Sequence, residues 1–363
     1  VFVPSLAFGW LKCSFHAILI LLGPGNYPLL FLQNLGANIR RVFALPNGFR
    51  KIFWIVFSTF AGMLRTAYIT TQFFTIALLF CSMGLSLWGQ EKLQYNLNKG
   101  DVFNVRQDAQ QTIVQEIEGA THEITNDLSG LLEFKVIETS PDAYTMEVTF
   151  RDLNLKMTSS IQGELVNVRA KEVDENDVQS RIFNSLLDVP IHIVLASNGD
   201  ILEVKGGDSL VTKMTKASGV TDEFSLNMMK ASLTKEFGSE ALSNSYEQMT
   251  YIYPKVKIRV GETWENTYEG ELSARNTWKL EALDPSNAII SGTAIVVMDI
   301  KEPATTMQLD GTQNTQITTD YKSGFIIKMK VDGFSKGFAT VAQMGEQQIP
   351  TTISSTITYE LIN

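Results

Sequence analysis

The feature that most constrains this chain is a two-residue alternation of apolar and polar side chains that recurs from residue 91 onward. Met146, Val148 and Phe150 alternate with Glu147 and Thr149, and Trp278, Leu280 and Ala282 with Lys279 and Glu281. Ile327, Met329 and Val331 alternate with Lys328 and Lys330, and Ile353, Ile357, Tyr359 and Leu361 share one parity. Each run predicts a strand with one face in a core and one in water. Between 145 and 157 the parity flips, from Met146, Val148 and Phe150 to Leu153, Leu155 and Met157. One extra residue near Arg151-Asp152 would do this, which predicts a β-bulge. Turn signals separate the runs at Ser140-Pro141-Asp142, Ser197-Asn198-Gly199-Asp200, Asp284-Pro285-Ser286-Asn287, Asp310-Gly311 and Lys322-Ser323-Gly324. Long strands that follow one another directly favour antiparallel meanders over βαβ units.

One segment departs from this period. From Asp208 to about Tyr251 the spacing becomes helical. Asp208 can cap a helix carrying Leu210, Met214 and Ala217, which Gly219 ends. Thr221 can cap a second, with Phe224, Met228, Leu233 and Phe237 as its apolar stripe and Gly238 past its end. Ser239 can start a third, with Leu242, Tyr246 and Met249, before Pro254. A shorter helix is expected from Asp177 to Leu187. The expected fold class is therefore mainly β (α+β). It comprises two antiparallel β-meander half-barrels or curled sheets, 91–206 and 254–363, with a helical segment, 207–253, between them. The two halves share an opening turn, Lys99-Gly100-Asp101-Val102-Phe103 and Val260-Gly261-Glu262-Thr263-Trp264. That likeness fits either distant copies or convergent turn chemistry.

Charge divides the chain sharply. Residues 1–90 carry six basic residues, Lys12, Arg40, Arg41, Arg50, Lys51 and Arg65, and no Asp or Glu. With 30 basic and 39 acidic residues in all, 91–363 holds 24 and 39, a net charge of −15. Such a body is not a general nucleic-acid binder, which needs clustered cations. Both cysteines, Cys13 and Cys81, precede it, so it is no disulfide scaffold. After Met63 come Arg65, an apolar run from Phe73 to Cys81, and small Ser86 and Gly89. This is the anatomy of a secretion signal over 63–90, cleaved near Gly89 or Gln90; an uncleaved membrane anchor over 68–88 is the alternative. Residues 1–62 read as an over-extended gene start or a membrane hairpin with its arginines cytoplasmic. The expected location is the periplasm or the outer-membrane cell envelope.

Several runs together suggest a family. These are Tyr95-Asn96-Leu97-Asn98-Lys99-Gly100-Asp101, Ala143-Tyr144 through Phe150, Leu153-Asn154-Leu155-Lys156-Met157, Ile193 through Val204, and the Val260-Gly261-Glu262-Thr263-Trp264 restart. Over most of 93–362 the chain resembles uncharacterised exported proteins of Bacteroidetes-type bacteria, many of them lipoproteins. The resemblance implies export and brings no activity, cofactor or catalytic residue. No small residue precedes Cys81 as a lipoprotein signal requires; Phe80 stands there. The half-barrel with helices at its mouth is also similar to periplasmic carriers of the lipoprotein-chaperone type, a likeness of fold alone.

Signatures of chemistry are few in the sequence. His122-Glu123 lacks a second His at helical spacing, and His192 alternates with Ile191 and Ile193, so both read as strand-surface histidines rather than metal ligands. Neither a Gly-x-Ser-x-Gly elbow nor a phosphate-binding loop is present. Glu172, Asp174, Glu175 and Asp177 have Gln179 where a calcium loop starting at Asp174 wants Gly, and read as a solvated helix start. No catalytic, metal or cofactor residue is assigned. The candidate binding residues are Met214, Phe224, Met228, Met229, Phe237 and Met249, an adaptable apolar layer that could line a greasy cavity or fill an ordinary core. The expected function is a non-enzymatic envelope protein that binds a hydrophobic ligand or lipidated partner. The alternative is a structural adaptor that pairs through sheet edges. A carboxylate-pair hydrolase ranks last.

Overall fold

The computed structural model describes residues 90–270, 272–301, 305–341 and 347–362. The readings of 1–62 and 63–90, including Cys81 and the signal or anchor, fall outside them. No described helix is long and apolar enough to cross a membrane.

The described strands are β1 (Val102–Ile117), β2 (Ala120–Thr139), β3 (Ala143–Ser159), β4 (Gly163–Arg169), β5 (Ile191–Ala196) and β6 (Ile201–Lys205), followed by β7 (Thr263–Tyr268), β8 (Leu272–Leu283), β9 (Asn287–Lys301), β10 (Thr305–Asp320), β11 (Ile326–Val341) and β12 (Ile349–Ile362). The helices are α1 (Val178–Leu186), α2 (Gly207–Ala217), α3 (Glu223–Phe237) and α4 (Ser239–Thr250). All strands join one antiparallel sheet in the order β6-β5-β3-β2-β1-β12-β11-β10-β9-β8-β7, with β4 beside β3. The mainly β class with an intervening helical segment is as expected. The two β-rich halves meet edge to edge, because β1 pairs with β12 from Asn104–Ile362 to Gln115–Thr351.

Local details follow the sequence closely. Leu131 pairs with Asp152 and Leu132 with Phe150, so Arg151 is the extra residue of a bulge. The outer edge of β3 divides there: β5 pairs with it up to Val148, and β4 from Asn154. Arg151 holds the junction with ion pairs to Glu133 at 2.9 Å and to Asp188. Asp177 caps α1 by accepting from the Gln179 and Ser180 amides. Two caps differ from expectation. Gly206, in the left-handed region, precedes α2 and leaves Asp208 in its first turn; Asp222 rather than Thr221 caps α3. Asp310-Gly311 is not a turn but lies inside β10. Gly311 is needed there because a Cβ would stand 1.9 Å from Ser335 Oγ.

The opening turns of the two halves are built alike. Gly100 and Gly261 both have positive φ, 97° and 90°. Asp101 accepts from the Asn98 amide and Glu262 from the Arg259 amide, each at 2.8 Å. Their glycine amides donate to the neighbouring strand, at Val136 and Leu280.

The sheet is not closed into a barrel. Five strand steps separate β7 from β12, about 24 Å along the sheet at ~4.8 Å per strand. Nevertheless, the phenols of Tyr268 on β7 and Tyr359 on β12 are near enough that a charge on one would oppose ionisation of the other, so the sheet curls. The terminal strands β6 and β7 do not pair, and the chain after α4 fills the seam. Thr250 Oγ1 donates to Gly199 O at 2.7 Å, and the Tyr253 amide to Asn198 O at 3.2 Å. From the other side, Trp264 Nε1 donates to Ile252 O and Asn266 Nδ2 to Tyr251 O. The segment before β1 laces the same end. Tyr95 N donates to Ser197 O, Asn96 N to Ser323 O, and Tyr144 Oη to Tyr95 O.

Candidate functional site: the concave face

Inward positions follow strict parity, which brings residues of different strands into rows across the curl. One row is unlike the others. It runs Asn266, Asn276, Ala294, Gln313, Gly333, Ser355, Gln111, Asn126 from β7 to β2. Asn276, Gln313, Gln111 and Asn126 are all at least nine-tenths buried. A further amide, Gln107, pairs in register with Tyr359. An amide belt thus crosses a mostly apolar surface that also carries the inward hydroxyls of Thr315, Ser335 and Thr351.

The belt separates two apolar zones. Toward the laced end lies the larger core, where helix residues Leu210, Met214, Phe237, Leu242, Tyr246 and Met249 pack with the sheet. Phe325 stacks on Phe103 at 3.9 Å there, and Tyr246 meets Phe134 edge-on at 6.1 Å. Toward the other end lies a cluster made of strand residues alone, among them Ile113, Val296, Met298, Met307, Leu309 and Ile353. No described helix contributes to it.

Several belt atoms lack hydrogen-bond partners. Gln107 Nε2, Asn126 Oδ1 and Gln313 Oε1 of the belt, and the Tyr246 hydroxyl of α4, are buried and unpartnered, whereas Asn276 bonds the Tyr268 phenol. Other belt groups are satisfied: Asn126 Nδ2 donates to Gln111 Oε1, and Trp278 Nε1 to Asn266 Oδ1. A buried polar group without a partner costs about 1–3 kcal/mol, so three amides and a hydroxyl together call for something to bond. Burial holds the Tyr246, Tyr268 and Tyr359 phenols well above their ordinary pKa, so they are neutral hydrogen-bonding groups.

One titratable pair borders this surface. Glu247, on the last turn of α4, meets Asp200 of the β5–β6 turn. Burial first, then the charge of Asp200 and a hydrogen bond to it, push the Glu247 carboxyl up to about 7. The two carboxyl groups are in hydrogen-bonding contact, unlike the two carboxylates separated by about 5–10 Å that flank a glycosidic bond.

The six residues singled out in the sequence separate into two groups. Met214, Phe237 and Met249 are core residues, while Met229 is partly buried against that core. Phe224 and Met228 are 72% and 61% exposed, on a helix whose only buried residue is Phe237. They therefore do not line the interior: α3 packs on α2 and α4 rather than on the sheet. The belt amides were not anticipated. Their signal was present as polar residues at inward parity, as in Val105-x-Gln107-x-Ala109-x-Gln111-x-Ile113.

Other candidates carry less. His122 Nε2 bonds Ser159 Oγ at 2.9 Å, and His192 faces Glu147 at 4.0 Å. Among the described residues, no group of three His, Cys, Asp or Glu is placed to hold a metal ion. A groove of about 570 Å³ on the opposite face of the sheet is lined by residues that include Asp108, Asp127, Asn154, Lys156 and Arg169. Its cations are already engaged, Lys156 with Glu164 and Arg169 with Glu172.

A family model described as a family of unknown function (DUF6263) matches residues 141–326, more than half of the chain. The chain belongs to this family. The DUF6263 match runs from the turn before β3 to the first residue of β11. It takes in β3 to β6 of the first half, the helices, β7 to β10 of the second, and Asn266, Asn276 and Gln313 of the belt; β1, β2 and β12 lie outside it. No curated protein matches. Among solved structures, one of lipid–protein interactions in lipovitellin is similar at 13% identity and a TM-score of 0.44, over 74% of this chain and 26% of that one. The chain thus spans about a quarter of that lipovitellin chain. DynF from the dynemicin biosynthesis pathway of Micromonospora chersina aligns at 6% identity and a TM-score of 0.21, over 75% and 86% of the two chains.

Proposed function

We propose that this protein is a non-enzymatic binding protein of the cell envelope that takes up a hydrophobic ligand on the concave face of its sheet. The carrying observation is the strand-only apolar cluster beside a belt of unpartnered amides. The cluster's Ile, Val, Leu and Met side chains are buried against one another across the curl with no described helix over them, so a ligand entering there displaces only side-chain contacts between strands. A ligand's apolar body would lie on Ile113, Val296, Met298, Leu309 and Ile353, with the helices closing the opposite end. Export belongs to this reading and rests on the sequence between Met63 and Gln90.

The test is native mass spectrometry of the full chain purified gently from the envelope. A lipid-sized adduct, lost in Val296→Glu, is the expected result, on a product beginning near Gln90 or Glu91. A bare chain that also takes up no added amphiphile would overturn the binding reading. A product retaining 63–90 would make it membrane-anchored.

One observation favours the adaptor as a second reading. Ile295, Val297, Phe334 and Phe338 are 46–54% exposed on the outward face, and Ile295 and Phe334 flank Thr312 in register. If this face docks an envelope protein, Phe338→Glu removes a co-purifying chain and leaves any adduct in place.

A further inference from the structure

The belt also constrains the ligand's polar end. We propose that the concave site selects a neutral acyl ester or amide bearing a hydroxyl, the acylglycerol type, over an ionised fatty acid. This rests on the concave-face reading above.

The argument is one of charge and hydrogen-bond count. Described inward strand positions carry no Lys or Arg: β9, for instance, presents Ala288, Ile290, Gly292, Ala294, Val296 and Met298. A carboxylate placed there would be desolvated with no counter-charge, which is far more costly than burying an ester. The Glu247–Asp200 pair beside Tyr268 adds negative charge at the margin. What the belt offers instead is neutral donors and acceptors. Gln107 Nε2 and the Tyr246 hydroxyl can donate to a carbonyl, and Asn126 Oδ1 and Gln313 Oε1 can accept from a hydroxyl. Turning any amide over exchanges donor for acceptor without creating charge, so neutrality does not depend on which way each amide points.

Position supports the same assignment. The belt lies between the helix-packed core and the strand-only cluster, so a head group at the belt leaves its acyl chain on Val296, Met298 and Leu309. In the ligand-free chain Gln107, Asn126 and Gln313 are nine-tenths or more buried, so a head group reaches these amides only as the curl opens.

The experiment compares 1-decanoylglycerol with decanoate by isothermal titration into the full chain at pH 8, where decanoate is ionised. The expected result is at least about tenfold tighter binding of the glyceride, the cost of one unmatched polar interaction. In Gln313→Met, and separately in Asn126→Leu on the opposite side of the belt, the ratio should fall toward one. The wild-type ratio needs no variant, so a misfolded substitution cannot mask the answer. Equal affinities, or tighter decanoate, overturn the head-group assignment and leave hydrophobic binding standing. A wild-type preference unchanged in both folded variants overturns the belt as its source. Binding of neither probe overturns the concave-face reading itself and assigns the unpartnered amides to ordered water.

Discussion

At the scale of single residues, the belt amides and Glu247 behave unlike their neighbours because of where they are buried. An amide held without a partner stabilises nothing in the empty protein. Replacing Gln313 by Met removes the orphaned oxygen and keeps nearly the same volume. Gln313→Met should therefore raise the stability of the ligand-free protein by about 1 kcal/mol, measured by urea denaturation. A loss of stability would mean that the amide is satisfied in solution.

Glu247 makes a separate prediction with a defined sign. Its folded pKa, about 7, lies above its ordinary value of 4.5. Its contribution is therefore complete below about pH 4.5 and is lost as pH rises through about 7. Tm should fall between pH 5 and pH 8 in the wild type. Glu247→Gln keeps an N–H donor for Asp200 and should flatten that slope. An unchanged slope in the variant would place the pH dependence elsewhere.

At the scale of elements, the seam between β6 and β7 rests on a few backbone contacts. Gly199 has φ 95°, and a Cβ there would stand 1.7 Å from Thr250 O. Gly199→Ala must then push the end of α4 away from the β5–β6 turn and weaken the Thr250 hydrogen bond to it. The expected cost is about 2 kcal/mol or more, with faster amide exchange over 250–253 than in the rest of the sheet. Gly100→Ala meets the same φ penalty but no neighbouring atom within 4 Å, so it should cost less. Equal losses for the two would show that backbone strain alone governs both.

The sequence revealed elements in proportion to how strictly one face was buried. The parity flip at Arg151-Asp152 was readable because both flanks of β3 face the core. The Phe224–Met228 stripe misled because helical spacing tells which residues share a face, not whether anything covers it. Gly311 misled because a strand glycine that admits a neighbouring side chain looks like half of an Asp-Gly turn. The belt stayed hidden because its members come from separate strands. Only β1 carries two of them, Gln107 and Gln111, and only cross-strand register assembles the rest.

At the scale of the whole molecule, the two halves run in the same order across the sheet. β6 to β1 is followed by β12 to β7, and both halves open with the same glycine–carboxylate turn. Such a tandem has two equivalent seams. One is zipped, β1 to β12, through a register of twelve residue pairs. The other, β6 to β7, is occupied by the chain around α4 and stays open. Neither half is then a separate folding unit, because each supplies one strand of the zipped seam and one wall of the filled one. Thermal unfolding of the full chain should show a single transition, with calorimetric and van't Hoff enthalpies in agreement. Ending the chain before β12 exposes the edges of β1 and β11 together, with the inward face of Ile353, Ile357 and Tyr359 missing from the core. That chain should fail to reach the native fold rather than leave one half folded, since the loss falls on both halves at once. Two resolved transitions in the full chain, or a native-like first half surviving the truncation, would instead make the halves independent domains joined at a chance edge.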